Sequence, residues 1–114
     1  MPDLTIPADR VDAVVTALDA SDALAGIGRR DGLNLRVLKV GEEFGEAAQA
    51  LIGACGQNPR KGVTHTYGDV RAELYDVALT ALVAAASLHA DWADEFGEHV
   101  WAKTSRVVEA VDRA

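Results

Sequence analysis

The sequence predicts an all-α protein, a four-helix bundle forming a single domain over residues 1–114. Three observations carry this reading. Apolar residues recur at the 3.6-residue period, capping residues and glycines mark helix starts and stops, and no stretch alternates apolar and polar in the manner of a half-buried strand. The composition agrees. Hydrophobic residues make up 49% of the chain but aromatics only 5%, and the abundant alanine and valine suit close-packed helices better than a sheet.

The first helix is expected near residues 5–20. Thr5 can cap it, Pro7 is tolerated in its first turn, and Asp9 complements the helix dipole. Val11, Val14, Val15 and Leu18 form its apolar stripe. Gly26, Gly28 and Gly32 end it, with Arg29-Arg30 in a solvated turn or contacting phosphate. The second helix is expected near 33–55. Leu33, Val37, Val40, Phe44, Ala47, Ala48 and Leu51 share one broad face, and Lys39, Glu42, Glu43 and Glu46 lie on another. Gly56, Asn58-Pro59 and Gly62 break the helix, so residues 56–66 form a loop with Arg60-Lys61 as its basic tip. Thr66 and Asp69 read as a capping box for a third helix over 67–88. Asp91 and Asp94 start a fourth, over 91–112. Phe96, Val100, Lys103 and Val107 line one side of it, with Val108 and Val111 nearby. Trp92 and Trp101 read as core or interface residues, and His89 and His99 as surface or helix-end residues.

Two acid clusters give the chain its chemistry. Glu43 and Glu46 stand three residues apart on the second helix, and Glu73 and Asp76 do so on the third, so each pair shares a helical face. Glu42 lies close to the first pair. If the two helices pack antiparallel, four or five carboxylates meet. The third helix is apolar nearly all round from Val77 to Leu88, which is the pattern of a buried helix. Glu73 and Asp76 then point inward or into a cleft, where an unpaired carboxylate costs several kcal/mol. Lysine or arginine partners, a raised pKa or a metal would each answer that charge. Hard oxygen ligands suit Mg²⁺, with Mn²⁺ as the alternative. The plainer possibility is an inter-helix salt-bridge network. Lys39, four residues before Glu43 and within reach of Glu42, reads equally as a helical ion pair or as a phosphate contact.

The net charge of −7 and pI of about 4.8 argue against nucleic-acid binding, which needs a basic surface to neutralise phosphates. Met1-Pro2-Asp3 opens no signal peptide, and the longest apolar run is too short to span a bilayer, so a cytoplasmic protein without membrane attachment is expected. Cys55 is the only cysteine, which excludes an internal disulfide. No Ser-His-Asp set is apparent. The apolar run on the third helix exceeds what one layer covers. A homodimer through that helix, or a dimer of dimers, is therefore expected, with Leu82 and Val83 at the interface.

The acid spacing resembles the MazG-like, all-α nucleoside triphosphate pyrophosphohydrolases. The pattern Glu43-x-x-Glu46, a gap, then Glu73-x-x-Asp76 is similar to the family's paired motifs. Leu38-Lys39-Val40-Gly41 before the first motif, Val77-Ala78-Leu79 after the second, and the loop from Gly56 to Gly62 also look like the family. The resemblance covers about Leu35 to Leu88. It implies a MazG-like bundle in which Glu43, Glu46, Glu73 and Asp76 hold Mg²⁺. It further implies that Glu42 and Glu43 serve the attacking water, and that a nucleoside triphosphate is cleaved between its α- and β-phosphates to monophosphate and pyrophosphate. Lys39, Arg60 and Lys61 are the cationic groups near enough in the chain to hold outer phosphates. Lys103 stands where related enzymes carry a C-terminal helix lysine, with Val107 where many have an asparagine. A phosphoribosyl-nucleotide pyrophosphohydrolase and a noncatalytic nucleotide- or protein-binding module are the alternatives.

Overall fold

The structure is a computed structural model that describes residues 6–113. It contains α1 (Ala8–Leu24), α2 (Arg29–Cys55), α3 (Tyr67–Leu88) and α4 (Trp92–Asp112), with no strand among the described residues. No helix is long and apolar enough to cross a membrane among those residues. The expected cap Thr5 lies outside the described residues.

The limits of α3 and α4 fall where the sequence places them. Thr66 and Asp69 form the capping box: Asp69 N donates to Thr66 Oγ1 at 3.1 Å, and Thr66 N donates to Asp69 Oδ2 at 2.9 Å. The hydrogen bond from the Thr66 backbone N–H is the chief cause that holds the Asp69 carboxyl below its usual range, helped by the Thr66 hydroxyl and the charge of His65 against partial loss of solvent. Such a cap stabilises a helix by about 1 kcal/mol. At the far end of α2, Gly56 adopts the left-handed conformation (φ 62°) that ends the helix.

The turn between α1 and α2 differs from expectation. α1 runs on to Leu24, and α2 starts at Arg29, so Arg29 and Arg30 lie in its first turn. Gly32 is inside the helix. A Cβ there would collide with Asp22 Oδ2, so this glycine admits the end of α1 rather than breaking α2.

α2 and α3 pack antiparallel, with Arg36 against Ser87 at one end and Glu43 beside Glu73 and Asp76 further along. The stripe Arg36, Val40, Glu43, Ala47, Ala50 of α2 is buried or half-buried. It faces the stripe Val70, Glu73, Val77, Thr80, Ala84, Ser87 of α3, whose steps of three and four residues trace one helical face. The broad apolar face expected for α2 is therefore displaced by about one position. Val37, Phe44 and Leu51 are exposed, whereas Ala47 and Ala50 are buried. Alanine at the seam lets the two helix axes approach closely.

α1 lies across α3. Val11, Val83 and Trp92 form the core, with Val15, Leu18, Leu82 and Ala86 around them. Val83, expected at a subunit interface, is thus buried within the chain, and Leu82 is half-buried beside it. Val14 is exposed. The Trp92 indole N–H donates to Asp12 Oδ1 at 2.8 Å, satisfying the one polar atom that this side chain brings inside. Trp92 is the buried residue of α4. Trp101, Val107, Val108 and Val111 further along are exposed.

Candidate metal site

The acids of α2 and α3 meet as the antiparallel packing requires. Glu43, Glu73 and Asp76 each offer a carboxylate oxygen, and these oxygens lie within 4.8 Å of one another. Glu43 and Glu73 are half-buried and Asp76 is exposed, so the group opens to solvent on one side. Oε2 of Glu73 is buried and accepts no hydrogen bond from a donor among the described residues. A buried acceptor without a donor costs about 1–3 kcal/mol. This oxygen is where the cluster lacks positive charge.

Glu46, the fourth expected ligand, is exposed and stands outside that close group of three. Its carboxyl is nevertheless held above the ordinary carboxylate range. The charge of Glu43 is the main cause, followed by partial loss of solvent, the charges of Glu73 and Glu42, and the closeness of the Glu73 carboxyl, to which a protonated Glu46 can donate. Glu46 thus shares the field of the cluster, one turn along α2 from Glu43.

Lys39 is the cation that touches the acids. Its Nζ lies 3.5 Å from Glu43 Oε1 and 3.7 Å from Glu42 Oε1. The ion-pair reading of Lys39 is therefore realised in the structure. Both Lys39 and Glu42 are mostly exposed, so their pair contributes at most about 1 kcal/mol. One ammonium facing two carboxylates leaves Glu73 and Asp76 unanswered. Arg60 and Lys61 are exposed in the α2–α3 loop, where Arg60 N donates to Asn58 Oδ1 at 3.1 Å. Lys103 is exposed on α4. None of these three cations forms an ion pair among the described residues.

Arg36 is a charged residue that the sequence reading passed over. It is buried, and its Nη2 lies 2.9 Å from Asp19 Oδ1 and 2.8 Å from Asp22 Oδ2. Its Nη1 donates to Ser87 Oγ at 2.9 Å, and Ser87 Oγ donates to the Val83 carbonyl at 2.8 Å. This network ties α1, α2 and α3 together two turns from Glu43. The pairing of Asp19 with Asp22, three residues apart near the end of α1, was its sequence signal.

No family model, curated protein or solved structure matches this chain. The likeness to MazG-like proteins rests on the acid spacing and its flanks, and the three-carboxylate group rests on the geometry just described. The donor set is all hard oxygen, fitting Mg²⁺ or Mn²⁺ and giving no preference for a soft metal. The orphaned Glu73 oxygen fits a cation as well, since a cation would supply what no protein donor does.

Proposed function

We propose that the chain is a Mg²⁺-dependent nucleoside triphosphate pyrophosphohydrolase of MazG-like type, producing a nucleoside monophosphate and pyrophosphate. The observation that carries this reading is the buried, unpartnered Glu73 Oε2 within a group of three carboxylates. A salt-bridge network would place an arginine or lysine at that oxygen. Among the described residues, the cluster's cation is Lys39, on its Glu43 side.

Glu43, Glu73 and Asp76 would hold the cation, with Glu46 completing the set from one turn away. Bound there, Mg²⁺ would offset the charge of the polyphosphate and lower the pKa of a water molecule. Glu42, exposed beside Glu43, orients that water or accepts its proton. Lys39, paired with both, limits the repulsion between Glu42 and Glu43. Arg60 and Lys61, free in the loop joining the two acid-bearing helices, hold the outer phosphates of the substrate.

The test is a panel of nucleoside triphosphates with Mg²⁺, separating monophosphate, pyrophosphate and orthophosphate. Hydrolysis in ¹⁸O-labelled water should place the label on one product of α–β cleavage. Orthophosphate as the first product would point to another phosphatase reaction. The exposure of Arg60, Lys61 and Lys103 keeps a second reading open, a noncatalytic module that binds nucleotide through metal. Mg²⁺ binding by the folded protein without turnover of any nucleotide would favour it.

A further inference from the structure

Two of the chain's three histidines meet at the corner between α3 and α4, and hydrolysis at the carboxylate group uses neither. α3 ends at Leu88, and His89 follows as its C-cap in an extended conformation, its backbone N–H donating to the Ala85 carbonyl at 3.1 Å. The chain then turns into α4, whose first turn carries Glu95. The turn brings His89 Nε2 to 3.7 Å from Glu95 Oε1. His99 lies four residues beyond Glu95, one turn on along the same helical face. His89, Glu95, Glu98 and His99 all line one open pocket of about 660 Å³, with the buried Trp92 in its wall.

These donors suit a shared ion better than they suit each other. At 3.7 Å the imidazole and the carboxylate stand outside the range of an N–H···O hydrogen bond, about 2.7–3.2 Å. Two ligands on one tetrahedral Zn²⁺, each bonded at about 2.0–2.1 Å, stand about 3.3–3.4 Å apart. A small shift therefore closes the existing gap onto an ion. Charge favours a cation as well. From His89 to His99 the chain carries Asp91, Asp94, Glu95 and Glu98 and no lysine or arginine. Among the described residues, no lysine or arginine pairs with Glu95 or Glu98. Two imidazoles move the preference away from Mg²⁺, which takes oxygen, and toward Zn²⁺ and its neighbours in the first transition row.

We propose that His89, Glu95 and His99 form a Zn²⁺ site at the α3–α4 corner, with Glu98 or water completing the tetrahedron. The ion acts on the structure. Trp92 is the buried residue of α4, and Trp101, Val107, Val108 and Val111 beyond it are exposed, so little packing sets the direction in which α4 leaves the corner. An ion held by His89 on one side of the corner and by Glu95 and His99 on the other fixes that direction. The site is separate from the carboxylate group: Asp76 stands twelve residues before Leu88 on α3, about 18 Å along the helix axis. It does not depend on what the carboxylate group binds or hydrolyses.

The test uses the full chain carrying Glu73→Gln, which weakens the carboxylate group so that the corner is read alone. Titration with Co²⁺ should bind one equivalent with the visible absorption of a four-coordinate ion, and Zn²⁺ should displace it while Mg²⁺ does not. In that background His89→Ala, Glu95→Gln and His99→Ala should each weaken Zn²⁺ binding in calorimetry by about tenfold or more. All three side chains are exposed, so these variants keep the fold, which circular dichroism checks. His65→Ala removes the remaining histidine and should leave the affinity unchanged. Excess Zn²⁺ should raise the Tm of the parent chain but not that of His99→Ala. Absence of Zn²⁺ binding at micromolar concentrations overturns the proposal. So does binding that survives loss of both His89 and His99, or that falls as far with His65→Ala.

Discussion

Replacing Glu73 by glutamine keeps the side chain's size and removes one charge from the carboxylate group. Two unit charges no more than 4.8 Å apart repel by at least about 0.9 kcal/mol in bulk water and at least about 3.5 kcal/mol at an effective dielectric constant of 20. Glu73 faces two such neighbours. Asp76 is exposed and Glu43 is partly answered by Lys39, so the lower part of that range applies to each pair. The substitution also lets an amide N–H donate where Oε2 has no partner. The apo protein should therefore gain about 1–3 kcal/mol, raising Tm by about 4 °C or more. With Mg²⁺ the order should reverse. A ligand at one hundred times its Kd stabilises the wild type by about 2.7 kcal/mol, and the variant forfeits most of that. The assay is thermal unfolding of both proteins at one fixed concentration, in EDTA and in excess Mg²⁺. A variant less stable than wild type in EDTA would refute the reasoning, because it would mean Glu73 is held by favourable partners.

Two further outcomes follow from the same physics. Glu46 has a raised folded-state pKa, so its deprotonation in the folded state works against folding. Its destabilising effect is absent below the ordinary value of 4.5 and develops as pH rises through the folded value. Glu46→Gln should thus raise apo stability at neutral pH and leave it unchanged in acid; a pH-independent difference in urea titrations would contradict the assigned cause. Arg36→Met should destabilise by about 2–4 kcal/mol, somewhat below the cost of breaking a fully buried pair because Asp19 and Asp22 can still reach water. A urea midpoint moved by less than about 0.5 kcal/mol equivalent would show the network to be idle.

The parts of the fold that were legible in sequence are those fixed by local chemistry. Thr66 and Asp69 announce α3 because a capping box acts within four residues. The acid spacing was legible for the same reason, since i and i+3 share a face wherever the helix packs. The start of α2 was not legible. Gly28 and Gly32 look alike in sequence, yet one caps the helix and the other makes room for Asp22, and only the approach of α1 separates them. The buried face of α2 was misplaced because its apolar arc is wide enough to hold two candidate centres. Hydrophobicity favours Val37, Phe44 and Leu51; close approach to α3 selects Ala47 and Ala50. Arg36 was missed because a buried arginine declares itself only through partners fourteen or more residues away.

The one-position offset between the seam and the apolar edge of α2 restricts how this helix can change length. Adding or deleting a single residue between Arg36 and Glu43 would rotate everything beyond it by about 100°. A deletion would carry Phe44 into the seam and swing Glu43 away from Glu73 and Asp76, while Arg36 still held its end against Ser87. An insertion would turn the far half the other way, with the same loss of alignment. Neither half can be retuned by sliding, because the carboxylate group and the apolar edge are read from one helical phase. Length variation is thereby expelled to the 56–66 loop, whose exposed tip carries no such phase.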